Sequence, residues 1–407
     1  MLYQSLIRLL APLILLWLGL EAYLRQGGWR FIQQRLGFNY SLGSRKGIWL
    51  HCASVGEVKA IEALIRSRPQ QTWLLTTNTP TGFRIAQALQ ADMGESLTLA
   101  YLPIDWPFAI RRFIRHYQPA QLWVVETELW PNLYRVCAQA DIPITLINAR
   151  LSRKTLQAPQ WLKKQYQNCL HHVSKILARS QAEAQRFIAL GAEAEKISIL
   201  GNLKLAGLNE LAVPSRVIER DYVLLASSHH DEELQIAQIW QQSLEQPLER
   251  SELLVIVPRH PKRAIKIQAQ LKAVAIRAEL ASQSTLTAGT RVWIQDSFGE
   301  LMPLYAHAKL VIMGGSFVPK GGHNFLEPAA FARAIITGAD NSDFADELAI
   351  FQQQDAIRVA ADYSALQSEI SHLLDDDDLR QQLGHRAQQT LQQQPNRLTL
   401  YQQALGL

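Results

Sequence analysis

From Gly47 onward, short runs of apolar, β-forming residues alternate with longer stretches of helical periodicity. The first half predicts strands at Ile48–Cys52, Trp73–Thr76, Leu97–Tyr101, Leu122–Val125, Ile144–Ile147 and Lys175–Leu177. Amphipathic stretches such as Val58–Ser67, Gly82–Gln90 and Pro107–His116 lie between them. Near-continuous apolar strands separated by helices are the pattern of a parallel sheet covered on both faces. The pattern restarts after Val213-Pro214-Ser215 with Tyr222–Ala226, Leu253–Val257, Val292–Ile294, Leu310–Met313, Ala334–Thr337 and Ile357–Val359. Two doubly wound α/β domains follow, joined near residues 205–218: an N-terminal domain over residues 26–212 and a C-terminal one over 213–407. The last helix is free to pack back on the first domain. Ligands of such folds bind beyond the carboxyl ends of the strands.

Before the first strand, residues 9–20 form a run of 12 apolar residues, LLAPLILLWLGL, between Arg8 and Glu21. Twelve falls short of the roughly 20 a helix needs to cross a bilayer. Tyr3–Leu24 just reaches if the flanking charges snorkel. The run opens the chain and is followed by Arg25, Arg30 and Arg35, which would hold the next domain on the cytoplasmic side. Residues 1–25 are therefore expected to be a membrane anchor, spanning or interfacial; a buried core helix is the plainer alternative.

A length of 407 residues and a 48% hydrophobic content exclude a disordered chain. Three cysteines without a CxxC pair exclude a disulfide scaffold and a zinc ribbon. Charge is uneven: residues 1–210 carry 24 basic and 13 acidic side chains, residues 211–407 carry 17 and 23. The basic half suits an anionic partner such as a membrane surface or a phosphorylated lipid. Nucleic acid has no matching motif here, since the tryptophans are scattered without interleaved basic residues.

Candidate chemistry sits after the strands. His51-Cys52-Ala53-Ser54-Val55-Gly56-Glu57 opens a helix, with Glu57 placed to take a proton from a hydroxyl nucleophile. Ser-x-x-Glu is equally a capping box. Glu126-Thr127-Glu128-Leu129-Trp130-Pro131-Asn132 puts two carboxylates at a buried strand end, as working groups or as helix-start charges. Lys204 of Gly201-Asn202-Leu203-Lys204 meets an anion or is a solvated linker lysine. Pro258-Arg259-His260-Pro261 presents Arg259 on a rigid loop suited to phosphate, and Phe298-Gly299-Glu300 lies where backbone amides can cradle an anion. The densest signal runs from Gly314 to Pro328, with four glycines and then Asn324, Phe325, Leu326 and Glu327. Neither GxxxxGK[ST] nor GxGxxG is present, but a glycine loop leading to Glu327 suits a nucleotide ribose. His171-His172 and His229-His230 lack HExxH spacing, and Asp375–Asp378 reads as a helix start.

In combination, SVGE, ETELWPN, NARLS (Asn148–Ser152), GNLK, PRHP, DxxGEL and GGSFVPKGGHNFLEP closely resemble the bacterial Kdo (3-deoxy-D-manno-octulosonic acid) transferases of lipopolysaccharide assembly. The resemblance covers nearly the whole chain. It implies a GT-B fold, with two Rossmann-like domains facing a cleft, and inverting transfer of Kdo from CMP-Kdo to a lipid A precursor. It also implies a place on the cytoplasmic side of the bacterial inner membrane. Glu57 matches the family's general base. Glu126 and Lys204 match positions credited with stabilising the transition state. Pro258, Arg259, Phe298, Gly299, Glu300, Asn324, Phe325, Leu326 and Glu327 match CMP-binding segments. No metal or other cofactor is implied, because the donor is already activated. Phe298 stands where methionine is usual, Cys52 where a small polar residue is common, and Gly338–Phe344 departs from the usual segment. The rival reading is a GT-B transferase using a UDP- or GDP-sugar on a membrane lipid.

Overall fold

The computed structural model describes the chain except residues 1, 42–45, 209–210, 245–250 and 298. It divides into two compact units: Met1–Ala206 together with Asn396–Leu407, and Gly207–Pro395.

The first unit holds a parallel sheet of β1 (Ile48–Cys52), β2 (Trp73–Thr77), β3 (Leu97–Tyr101), β4 (Gln121–Val125), β5 (Ile144–Ala149), β6 (Val173–Ala178) and β7 (Ile197–Ile199), in the order β3-β2-β1-β4-β5-β6-β7. Ile48 stands opposite Trp73 on one side and Gln121 on the other. Successive side chains alternate faces, and both faces are buried. Trp49, Leu122 and Val124 pack with Ile110, Phe113 and Leu133. Ile48, Leu50, Leu75 and Trp123 pack with Val58, Ile61 and Leu64 on the opposite face. Each fully buried side chain of this kind contributes about 1.5–3 kcal/mol. The final helix, Arg397–Leu405, returns to this unit: the Tyr401 hydroxyl donates to the Gly201 carbonyl at 3.0 Å, and Arg68 donates to Leu407 O at 3.0 Å.

The second unit holds β8 (Tyr222–Ser228), β9 (Leu253–Pro258), β10 (Ala278–Leu280), β11 (Val292–Ile294), β12 (Leu310–Met313), β13 (Ala334–Thr337) and β14 (Arg358–Val359), ordered β10-β11-β9-β8-β12-β13-β14 and again parallel. Every strand expected from the sequence forms, within two residues at each end; the short β7 and β10 extend the sheet edges. Asp376 caps the helix Asp377–Gln392, so the aspartate run is a helix start.

The N-terminal apolar run departs from a spanning anchor. It forms two helices, Leu2–Leu9 and Ala11–Leu24, and no described helix is long and apolar enough to cross a membrane. Pro12 has no amide to continue the hydrogen-bond ladder at the join. Leu18 and Ala22 pack into the first unit, while Leu9, Leu13, Leu16, Trp17, Leu20 and Leu24 stay exposed.

Candidate active site

In the first unit the strand order reverses between β1 and β4; Glu57 lies in the first turn of the helix after β1, and Glu126 directly follows β4. Ser54 caps the helix Val55–Arg66, accepting from the Glu57 amide at 3.3 Å. The capping box is present in altered form. Glu57 Oε2 accepts from the Ala53 amide at 2.7 Å, and Oε1 accepts from the Ser54 hydroxyl at 2.8 Å. The carboxyl is only 7% exposed. Burial pushes it up to about 7; the two hydrogen bonds pull it down, and the charges of Glu126 and Glu128 push it up again. A cap alone needs no such tuning, whereas a general base works best with a pKa near the operating pH.

Glu126 follows β4 with φ of +58°, the left-handed region that a residue with a Cβ rarely adopts. Such conformations cluster at working sites. Its amide donates to Ile147 O at 3.0 Å, and its Oε1 accepts from Lys204 Nζ at 3.0 Å. Lys204 is therefore no free linker lysine. Asn148, at the end of β5, accepts from the Leu203 amide at 2.9 Å, and Asn202 caps the turn by accepting from the Lys204 amide at 3.1 Å. The NARLS and GNLK segments are thus one device that presents the ammonium to Glu126.

Glu128 serves differently. It accepts from Trp130 Nε1 at 2.8 Å and from Asn78 Nδ2 at 3.3 Å, and burial raises its pKa. Asn78 in turn accepts from buried Arg35 at 3.0 Å. Burial also lowers the Arg35 guanidinium to about 10, against the opposing pull of Glu21, Tyr40 and Glu128.

In the second unit the reversal falls between β8 and β12. His229 follows β8 and His323 lies in the glycine loop after β12. Their rings stack with centroids 5.1 Å apart, and their Nε2 atoms lie 2.9 Å apart, so one donates and the other accepts. Burial, then each other's charge and those of Arg259 and His260, depresses His323 to about 4. Burial, with Lys320, Arg263, His260 and Arg259, depresses His229 as well. Arg259 and Lys320 thus bring positive charge to these strand ends.

The glycine loop is organised by a residue the sequence did not single out. Glu232 is fully buried and accepts from the amides of His229 at 2.8 Å, Gly315 at 2.9 Å and Phe317 at 3.1 Å. Loop amides that could cradle a phosphate are thus occupied by a carboxylate. In the sequence the only sign of it is the acidic pair Glu232-Glu233 just after His229-His230 at the end of β8. Glu233 accepts a bidentate contact from Arg263, at 2.8 and 3.1 Å.

Arg259 follows Pro258 at the end of β9, its amide donating to Ser228 O at 3.0 Å. Glu327 begins the short helix Leu326–Ala330 and accepts from Asn324 Nδ2 at 3.1 Å, while Phe325 and Leu326 are buried wall residues. Gly299 has φ of +94° and Glu300 starts the helix Leu301–His307; Phe298 lies outside the described residues. Glu57, Glu126 and Lys204 therefore come together in the first unit, while in the second Asn324 pairs with Glu327 and Arg259, after β9, lies near enough to His323 for its charge to act there. Among the described residues no group of three or more His, Cys, Asp or Glu has metal-holding geometry.

Residues 30–206 match the family described as 3-deoxy-D-manno-octulosonic-acid transferase (kdotransferase). A 3-deoxy-D-manno-octulosonic acid transferase of Haemophilus influenzae is 34% identical over 406 residues, covering 96% of this chain and 94% of that protein. Its Bordetella pertussis namesake is 29% identical over 84% of each chain. A solved glycosyltransferase from Rickettsia africae superposes with a TM-score of 0.63 at 14% identity, over 89% of this chain and 97% of that one. This likeness fixes the fold, two parallel-sheet α/β domains of GT-B type.

Proposed function

The chain belongs to the 3-deoxy-D-manno-octulosonic acid (Kdo) transferase family, and from that premise we propose that it moves Kdo from CMP-Kdo onto a lipid A precursor of the lipid IVA type, with inversion. Glu57 is the base. Its carboxylate takes the proton of an acceptor hydroxyl, the oxygen attacks the anomeric carbon, and the bond to the CMP phosphate breaks with the electron pair leaving on CMP. The observation that carries this role is a buried carboxyl at the β1/β4 reversal, raised to about 7 and held by an amide and a hydroxyl. A group half ionised near neutrality can both accept and release a proton.

Glu126 and Lys204 stabilise the charge that develops as the anomeric centre flattens and the phosphate departs. The ammonium offsets the donor's carboxylate or leaving phosphate, and the Glu126 carboxylate faces a cationic sugar. Arg259, with Glu327 and Asn324 beside the glycine loop, takes the nucleotide, and Glu300 with its neighbours completes that contact. A CMP ester has no diphosphate to neutralise, so no divalent ion enters this scheme.

The exposed leucines of residues 9–24 support docking flat on the cytoplasmic face of a membrane, not crossing it. Calorimetric titration with CMP, UDP and GDP separates the donor classes. Binding of CMP over the other two is expected; tight UDP or GDP binding with none of CMP would transfer the assignment to another nucleotide sugar. Mass spectrometry of products from CMP-Kdo and a tetra-acylated acceptor tests the reaction itself.

A further inference from the structure

The first unit contains a cavity of about 240 Å³ that the chemistry above does not use. Its walls are apolar: Ile7 and Ile14 from the two N-terminal helices, Trp17, Leu102, Ile104 and Leu133. Arg35 and Asn78 also line it. At roughly 30 Å³ for a water-sized group, the volume admits about eight methylenes.

The cavity wall is built rather than incidental. Half-buried Asp105 accepts from the Tyr3 hydroxyl at 2.6 Å and from the amides of Asn132 at 3.0 Å and Leu133 at 2.8 Å. One carboxylate therefore pins the N-terminal helix and the helix Pro131–Gln139 around the same space.

Three observations converge on one occupant. The N-terminal helices supplying Ile7, Ile14 and Trp17 also expose the leucines of residues 9–24, so the cavity adjoins the surface that would touch lipid. Arg35 is 6% exposed, donates through Nη1 to Asn78 and Leu102 O, and its Nε has no hydrogen-bond partner among the described residues. Arg35 thus sets a buried cation in the wall of a largely apolar space. Finally, Arg35, Asn78 and Glu128 form a hydrogen-bonded chain that ends two residues from Glu126.

We propose that this cavity seats one fatty acyl chain of the lipid acceptor, with the carbonyl at the chain's polar end directed to Arg35. This rests on the lipid-acceptor reading above. It adds that the acceptor is measured by an acyl chain held in the protein itself, beside the segment that carries Glu126.

The test uses the full chain and two cavity-filling variants, Ile7→Trp and Ile14→Trp, both away from the catalytic groups. Transfer is measured with a tetra-acylated disaccharide bisphosphate and with the same disaccharide after complete deacylation. Each variant should raise KM for the acylated acceptor at least tenfold while leaving KM for the deacylated one unchanged. Unchanged KM for the acylated acceptor in both variants overturns the proposal, and so does an equal change for both acceptors.

A second readout needs no turnover. Trp17, Trp106 and Trp130 line the cavity, so cis-parinaric acid bound there should quench tryptophan emission by energy transfer. Wild type should show this and the variants should lose it; identical transfer in all three, or none in wild type, overturns the proposal. If wild type transfers Kdo to neither acceptor, the transferase reading has failed and the parinaric acid result alone decides the cavity.

Discussion

Replacing Glu57 by Gln should make the protein more stable at pH 8 while slowing its chemistry by orders of magnitude. The native carboxyl is raised from 4.5 to about 7, chiefly by burial. Between those values the native state keeps a proton that the unfolded chain has lost, so stability falls as pH rises through the window. Below about pH 4.5 the penalty is absent; at pH 8 it is complete. Two and a half units at 1.36 kcal/mol each give about 3 kcal/mol. A glutamine carries no such penalty, and its amide can still accept from Ala53 N and donate to Ser54 Oγ. Differential scanning calorimetry of both proteins at pH 5 and pH 8 reads the difference. The transition that unfolds the first unit should move up by several degrees in the variant at pH 8, and by much less at pH 5. Transfer should drop about 10²–10⁴-fold. The wild-type rate should rise about tenfold from pH 6 to pH 8, as the ionised fraction grows from about a tenth to nine-tenths. A stability difference independent of pH, or a variant less stable at pH 8 than wild type, would refute the electrostatic account. Near wild-type transfer by the variant would remove Glu57 as base.

Three further perturbations separate the other roles. Lys204→Met should lower kcat about 10²-fold, yet cost no more than about 1 kcal/mol in unfolding assays, because the pair with Glu126 is part-exposed; a stability loss large enough to account for the rate would make it structural. Glu232→Gln should destabilise the second unit by about 1–3 kcal/mol and weaken CMP binding by calorimetry, since at least one of three loop amides loses a charged acceptor; unaltered CMP affinity would detach the loop from the donor. Leu13→Asp with Leu16→Asp, both exposed, should abolish co-flotation with anionic phospholipid vesicles without lowering the thermal midpoint; retained flotation would place lipid contact elsewhere.

Much of the fold was legible because a strand buried on both faces must be largely apolar. β1, β2 and β3 read that way without a single exposed residue, with His51, Thr76, Thr77 and Thr98 as the polar exceptions. The short edges β7 and β10 were harder to find: three residues give too little pattern. The N-terminal run was legible as an apolar helix, but not as two helices. The run length says nothing of which side packs on Phe31 and which stays exposed, since nearly every position is apolar. Within the site, each motif lay at a strand end as expected, but partnership did not follow from the motifs. Lys204 and Glu126 are 78 positions apart, and Glu232 and Gly315 are 83 apart. Only the parallel crossovers bring them together. The His229-His230 pair illustrates the same limit: its local spacing carries no motif, yet His229 stacks on His323 across 94 positions.

The first-unit carboxylates follow a division that local sequence could not supply. Glu57, Glu126 and Glu128 lie close enough for the charges of the latter two to act on Glu57. Glu126 is met by an ammonium, and Glu128 by an indole and an amide linked onward to Arg35. Glu57 is met by a hydroxyl and a backbone amide. Burial, with the charges of Glu126 and Glu128, raises its carboxyl to about 7, and acids held in unlike surroundings are suited to different roles. Glu126 then holds Lys204 in place, and the left-handed backbone at Glu126 fixes where that pair points. Glycine at position 126 would relieve the backbone but remove the carboxylate that meets the Lys204 ammonium.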